Sequence, residues 1–283
     1  MPTFTDAYGI AITYYVWPVD TPRAVVQIAH GVGEHARRYT RLAESLNAAG
    51  YTVYADDHRG HGQTGLTQHG GDRSQLGRLG VGGVRAAAAA VYRLSGIIRS
   101  AHPGVPLVLL GHSWGSFLAQ MIVNDHADRY AAVVLSGTAY RMPGYLDSGD
   151  LNRKHKHLGT SGMEWLSRDP AVAAAFVADP LTTVTPLKKL FGTREAARLF
   201  GRPARGLPPT LPILILVGGD DTVGGERSAL RLTRSYVRRS GLRDVRLVVY
   251  LGARHEVFNE TNRDEVVADL VAWLDRRLPA GAR

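Results

Sequence analysis

The chain has no cysteine. A thiol nucleophile, a disulfide framework and any cysteine-ligated metal or cluster are therefore excluded, and the composition is compatible with a reducing cytoplasm, the expected compartment. Lysine is scarce too. Lys154, Lys156, Lys188 and Lys189 are the whole set, so the formal net charge of +9 rests on arginine. The arginines are scattered instead of gathered into one arm or helix, and no nucleic-acid partner is expected. The start, Met1-Pro-Thr-Phe-Thr-Asp6, lacks a basic stretch leading into an apolar one, so no secretory signal is expected. Residues Pro106 to Asn124 contain no Asp, Glu, Lys or Arg and approach the length of a membrane span. Gly111, His112, Ser113, Gly115, Ser116 and Gln120 interrupt that run in its middle, where a spanning helix tolerates polar groups least. A buried strand, turn and helix is the simpler reading.

That same stretch holds what the chain is organised around. Leu107 to Leu110 is an apolar run of strand length, Gly111-His-Ser-Trp-Gly115 is a Gly-x-Ser-x-Gly turn, and Phe117, Leu118, Met121 and Ile122 recur at helical spacing. A serine hydroxyl is a weak nucleophile that must be held exposed, near a base and near donors for an oxyanion. Glycines at 111 and 115 let strand and helix approach closely enough to do so.

Around it strands and helices alternate. Strands are expected over Ile10–Trp17, Ala24–Ala29, Tyr51–Ala55, Ala131–Leu135, Pro212–Val217 and Val245–Tyr250, the first two reading as an antiparallel pair. Helices are expected from about Tyr39 up to Gly50, over about Val84–Ser100, over about Glu226–Arg239, and at the end behind an Asn262-x-x-Glu265 capping box. A glycine-rich loop is expected after Gly62. The alternation predicts an α/β fold with a mostly parallel central sheet flanked by helices and ligands beyond the carboxyl ends of the strands. It stops between Ser136 and Pro208. There the chain is polar and irregular, with helical candidates at Gly162–Leu166, Pro170–Ala178 and Leu187–Phe200, too long for a crossover and too rich in apolar side chains for a linker. The expected organisation is a core of residues 1–138 and 208–283 with an inserted helical cap, residues 139–207. Lys154 to His157 reads as a solvated face. Leu187, Leu190 and Phe191 read as packing onto the core, with Lys188, Lys189 and Arg194 leaving room for weak peripheral membrane contact.

If Ser113 is a nucleophile it needs a base and the base an orienting carboxylate. His255 follows the strand ending at Tyr250, and Asp220 and Asp221 follow the strand ending at Val217. Adjacent side chains on an extended segment point opposite ways, so one of the two aspartates aims correctly. Backbone amides after the nucleophile, at Trp114, and in the His30-Gly31-Val32-Gly33 loop, at Val32, are the candidate oxyanion donors. His30, His58, His61 and His112 have neither HxH nor HExxH spacing, and no metal or cofactor is expected; they read as hydrogen-bonding the loops around the site, with Asp57 and Arg59 bracing.

His30-Gly-Val-Gly-Glu-His35 with Arg38-Tyr39, Asp57-His-Arg-Gly-His-Gly62, Gly111-His-Ser-Trp-Gly115 and His255-Glu-Val-Phe-Asn-Glu260 resemble the successive signatures of the monoglyceride lipase and lysophospholipase group of serine α/β-hydrolases. Ser167-Arg-Asp-Pro170 and Asp179-Pro-Leu181 extend the resemblance into the insertion. It implies the α/β-hydrolase fold, the triad Ser113, Asp221 and His255, an oxyanion hole from the Val32 and Trp114 amides, and no cofactor. It also implies a small-molecule ester or lipid substrate of the monoacylglycerol or lysophospholipid kind. The group usually carries methionine and a second glycine where this chain has Trp114 and Ser116, and serine where it has Thr64. Ser-Trp-Gly-Ser also resembles proline iminopeptidases. A short-chain or specialised esterase, such as one for xenobiotic or antibiotic esters, is favoured by the polar insertion. An N-terminal aminopeptidase, with Asp147, Asp150 or Glu164 receiving the amine, and a non-catalytic ligand-binding hydrolase fold complete the alternatives.

Overall fold

The computed structural model describes residues 1–147 and 149–278. Eight strands form one sheet in the order β1-β2-β4-β3-β5-β6-β7-β8. They are β1 Thr3–Thr5, β2 Ala11–Trp17, β3 Ala24–Ala29, β4 Tyr51–Asp56, β5 Leu107–His112, β6 Ala132–Ser136, β7 Ile213–Gly218 and β8 Val245–Tyr250. Every pairing from β4 to β8 is parallel, and β1–β2 and β2–β4 are antiparallel. The expected antiparallel pairing of the first two long strands is corrected here. β2 lies beside β4, while β3 sits inside the parallel sheet between β4 and β5, as its fully buried sequence demands.

The helices are α1 Thr40–Ala48, α2 Gly62–Gln68, α3 Gly83–Ala101, α4 Trp114–His126, α5 Pro170–Ala178, α6 Leu187–Ala197, α7 Gly225–Ser235 and α8 Arg263–Arg277. Strand residues alternate between two cores because successive side chains leave opposite faces. On one side Val25, Leu107, Leu109, Val133, Ile213 and Ile215 meet α3, α4 and α7 through Val91, Leu94, Leu118 and Leu232. On the other, Val26, Ile28, Val108, Leu110 and Leu214 meet α1 and α8 through Leu46, Leu270 and Trp273. Burying each such side chain contributes about 1.5–3 kcal/mol. The charge-free run from Pro106 to Asn124 is β5, the turn and α4, and among the described residues no helix is long and apolar enough to cross a membrane.

Several expectations need correcting. The loop after Gly62 contains α2, which two glycines disguise and which Asp57 starts by accepting the Gln63 amide at 2.8 Å. Gly162–Leu166 forms turns, not a helix. α6 ends at Ala197 and is kinked at Gly192, whose φ of 75° no right-handed helix contains. The helix from Glu226 gives way at Tyr236–Ser240 to a π-helical turn. Asn262 caps no amide of α8; its side chain donates to Glu265 instead. His155 is buried within the stretch expected to be solvated.

Candidate active site

The site sits beyond the carboxyl ends of β3, β5, β7 and β8. Register decides this, because Ala29, Gly111, Leu135 and their neighbours pair across the sheet, so the strands end together. At the end of β5 the chain turns so sharply that Ser113 has φ 52° and ψ −124°, and among the described residues it is the only non-glycine with positive φ. Such a conformation costs about 1–3 kcal/mol and persists only where the surroundings over-determine it. Here the Ser113 amide donates to the Ser136 carbonyl at 2.9 Å, and the Ser113 carbonyl accepts from the Ser116 amide and hydroxyl at 2.9 and 2.6 Å. A Cβ on Gly111 would lie 2.6 Å from the Gly115 carbonyl oxygen, and one on Gly115 would lie 2.1 Å from that of Ala29. Glycine at both positions is thus a steric requirement. Ser116 does more than replace a glycine: its hydroxyl also lies 2.7 Å from that of Thr138, which accepts from Gln120.

Of the two aspartates, Asp221 reaches the histidine. His255 Nδ1 lies 3.0 Å from Asp221 Oδ1, both residues are buried, and Asp220 is exposed. The Val223 amide donates to the same Asp221 oxygen at 2.8 Å and orients it. Burial opposes charge on His255, but Asp221 outweighs it and holds the imidazole above its ordinary range. Among the described residues His255 Nε2 has no hydrogen-bond partner. Ser113, His255, Val32 and Trp114 all line one cavity of about 490 Å³. Among the described residues neither the Val32 nor the Trp114 amide has an acceptor, whereas the Gly31 amide is bound to Glu34 at 2.6 Å. A serine, an imidazole nitrogen and two unengaged amides therefore belong to the lining of one space, with the Asp221 carboxylate behind the imidazole, an arrangement suited to acyl transfer.

The motifs quoted from the sequence contain a device whose role their spacing did not reveal. Glu34 accepts from the Gly31 amide, from the Tyr39 hydroxyl at 2.7 Å and from Arg38 at 2.5 Å. Arg38 also makes a two-pronged pair with Glu256 at 2.8 Å on each oxygen. The loop of Val32 and the loop of His255 are thus riveted together by one guanidinium. Burial opposes the charge on Glu256, but Arg38 prevails and holds its carboxyl down at about 2. Glu34 and Arg38, opposite charges four positions apart beside the Val32 loop, and Glu256 next to His255 were the available signal.

His30 stacks on His58 with ring centroids 3.9 Å apart and accepts the His58 amide at 3.0 Å, while His61 stacks on Trp114. His112 lies beside His255, and burial and that neighbour push it down to about 4. Asp57 accepts from the Ala36 and Gln63 amides and the Tyr15 hydroxyl; Arg59 binds Asp6 and the carbonyls of Leu79 and Val81. Gly33, at φ 77°, gives its carbonyl to the Thr183 amide at 2.8 Å and thereby meets the segment between β6 and β7.

A family model described as serine aminopeptidase, S33, matches residues 20–262. The monoacylglycerol lipase of Mycolicibacterium smegmatis is 36% identical over 96% of this chain and 95% of its own length. The chain belongs to the monoglyceride lipase-type α/β-hydrolases. Human monoglyceride lipase is 28% identical over 98% of this chain and 91% of its own. Among solved structures, a thermostable carboxyl esterase from Bacillus coagulans, in complex with glycerol, superposes with a TM-score of 0.86 at 26% identity and covers 98% of both chains. As a monoglyceride lipase-type hydrolase the protein is a carboxylic-ester hydrolase, and its substrates are small-molecule esters.

Proposed function

We propose that the enzyme hydrolyses monoacylglycerol-like esters through an acyl-enzyme on Ser113. His255 Nε2 takes the Ser113 proton as Oγ attacks the ester carbonyl, and returns it to the departing alcohol. Water then attacks the acyl-serine by the same path, releasing the acid and restoring Ser113. Asp221 fixes the imidazole tautomer and stabilises its cation. The Val32 and Trp114 amides receive the oxyanion, each such donor contributing about 2.7–4 kcal/mol.

The observation that carries the substrate class is the lining of the cavity. Phe117, Leu146, Leu151, Leu187, Leu199 and Phe200 offer an acyl chain an apolar wall, and Asp147 offers a hydroxyl a polar partner. Residues 139–207 are read as a cap supplying most of that wall, inserted between core parts 1–138 and 208–283. The aminopeptidase alternative is poorly served by it. Glu164 is engaged by Asn152 and Ser161, and Asp150 is paired with Lys156, which leaves Asp147 alone of the three for an amine. The exposed Val184 and Phe200 at the cavity, beside Lys188, support weak contact with a membrane surface. The cysteine-free composition is compatible with residence in a reducing cytoplasm.

A panel of p-nitrophenyl esters and monoacylglycerols of increasing chain length tests the reading, with Ser113→Ala as control. Preference for decanoyl over acetyl and butyryl chains, and release of glycerol, is the expected result. Preference for the shortest esters would replace it with the short-chain esterase.

A further inference from the structure

The arginines that look scattered in sequence are not scattered in space. Arg202, Arg205, Arg231, Arg234, Arg238 and Arg239, all exposed, line one surface cavity of about 450 Å³ whose remaining lining residues are Tyr140 and Ser235. Three of them follow from helical periodicity. Arg231, Arg234 and Arg238 stand at i, i+3 and i+7 on α7 and the π-helical turn after it, a spacing that stacks them on one face. The others are brought by hydrogen bonds that pin a second segment against that face. Arg239 Nε donates to the Pro203 carbonyl at 2.7 Å and the Ser240 hydroxyl to that of Ala204 at 2.6 Å. From its other side Asn124 donates to the Arg202 carbonyl at 3.0 Å and accepts the Ala204 amide at 2.7 Å.

What marks this cluster is the gathering of six arginines around one concavity with no acid among them. Some surface arginines elsewhere find carboxylates, such as Arg23 with Asp275, Arg41 with Asp264, Arg263 with Asp169 and Arg277 with Asp244, and others, such as Arg73 and Arg85, stand apart from one another. Among the described residues none of the six has such a partner, and no acidic residue lines the cavity. Six like charges held around one concavity repel one another, and the fold supplies nothing to neutralise them. Guanidinium forks match phosphoryl oxygens two at a time, and neutralising several on one dianion relieves the repulsion. We propose that this pocket binds a compact phosphoanion, a phosphate or pyrophosphate group, free or carried as a lipid headgroup. It is independent of the ester-cleaving site, since none of its lining residues lines the Ser113 cavity.

The test is calorimetric titration of the full chain with pyrophosphate at constant ionic strength. Saturable one-site binding is expected, weakened at least about tenfold in R234Q/R238Q and unchanged in R73Q/R85Q, whose exposed arginines lie outside the pocket. R202Q/R205Q, on the pinned segment, provides a second variant with the same expected loss. Equal hydrolysis of p-nitrophenyl butyrate by all variants certifies their folding. Displacement of pyrophosphate by phosphatidylglycerol vesicles, and not by phosphatidylcholine vesicles, assigns the group to a headgroup. Retention of pyrophosphate against both assigns it to a soluble phosphate. Absence of saturable binding, or an equal loss in R73Q/R85Q, overturns the proposal.

Discussion

The cavity has two unlike walls. One is made of strand ends, the elbow and the two loops riveted by Arg38, and its carboxylates Glu34, Asp57 and Glu256 are each held by several donors. The other runs from Val184 to Phe200 along a kinked helix and meets the first at few places. Phe191 packs edge-on against Trp114, the Thr183 amide reaches Gly33, and Glu195 accepts the Val84 amide at 2.9 Å. Val184 and Phe200 remain 53% and 45% exposed, where side chains of the opposite wall such as Trp114 and His255 are almost wholly buried. Chemistry needs groups held within a fraction of an ångström, and a sheet with fixed register supplies that. Accommodating a greasy chain needs area more than precision, and a surface segment supplies it at lower local stability.

Substitutions can break this contrast, beginning with the elbow. Ser113→Ala should lower kcat for ester hydrolysis by about a million-fold with no loss of Tm, since it also removes no partner of the buried network; a residual rate within tenfold of the parent would dissolve the assigned role. Asp221→Asn should cost about ten-thousand-fold in kcat. It should also move the acid limb of kcat/KM. The neutral imidazole is the active form, and Asp221 raises the His255 pKa above its ordinary 6.5, so activity should fall as pH drops through a value above 6.5 in the parent and through a lower one in the variant.

Next comes the rivet. Arg38→Ala leaves Glu34 and Glu256 buried without their cation and should destabilise the fold by about 3–5 kcal/mol in chemical denaturation. The pH dependence has a definite sign. Glu256 is depressed from 4.5 to about 2, so its share of stability is present above the unfolded value and is lost as pH falls from 4.5 toward 2. Glu256→Gln should flatten that acid slope. A parent and variant with superimposable acid denaturation would show that the pair does not act in this way. The smallest effects belong to the other wall. Phe200→Ala should leave Tm nearly unchanged, shift stability by no more than about 0.5 kcal/mol, and raise KM severalfold for decanoyl but not acetyl esters. A large fall in Tm there would erase the distinction between the walls.

The interior parallel strands were readable because a fully buried strand is a continuous apolar run, as at β7, whose end falls within one residue of the expectation; the edge strand β8, only partly buried, was still legible at Val245–Tyr250 from its β-branched and aromatic residues. β1 escaped because three residues carry no period, and α2 because its glycines imitate a loop. The position of β3 inside the sheet escaped because pairing between strands distant in sequence leaves no local mark. At the site, the elbow was legible in its glycines, whose absent Cβ atoms the turn requires. Two adjacent aspartates could not be told apart by chain geometry, because which of them meets His255 depends on how β7 and β8 end side by side.

By itself the sequence determined the interior strands, the long helices and the chemistry offered. A continuous apolar run calls for burial, the glycines of a Gly-x-Ser-x-Gly turn permit a sharp bend at the serine, and a chain without cysteine can use no thiol. Tertiary structure alone decided which charges meet. Glu34 with Glu256 across Arg38 joins segments more than two hundred positions apart, and Arg202 and Arg205 reach the arginines of α7 only through loop packing; sheet register and loop packing leave no local pattern.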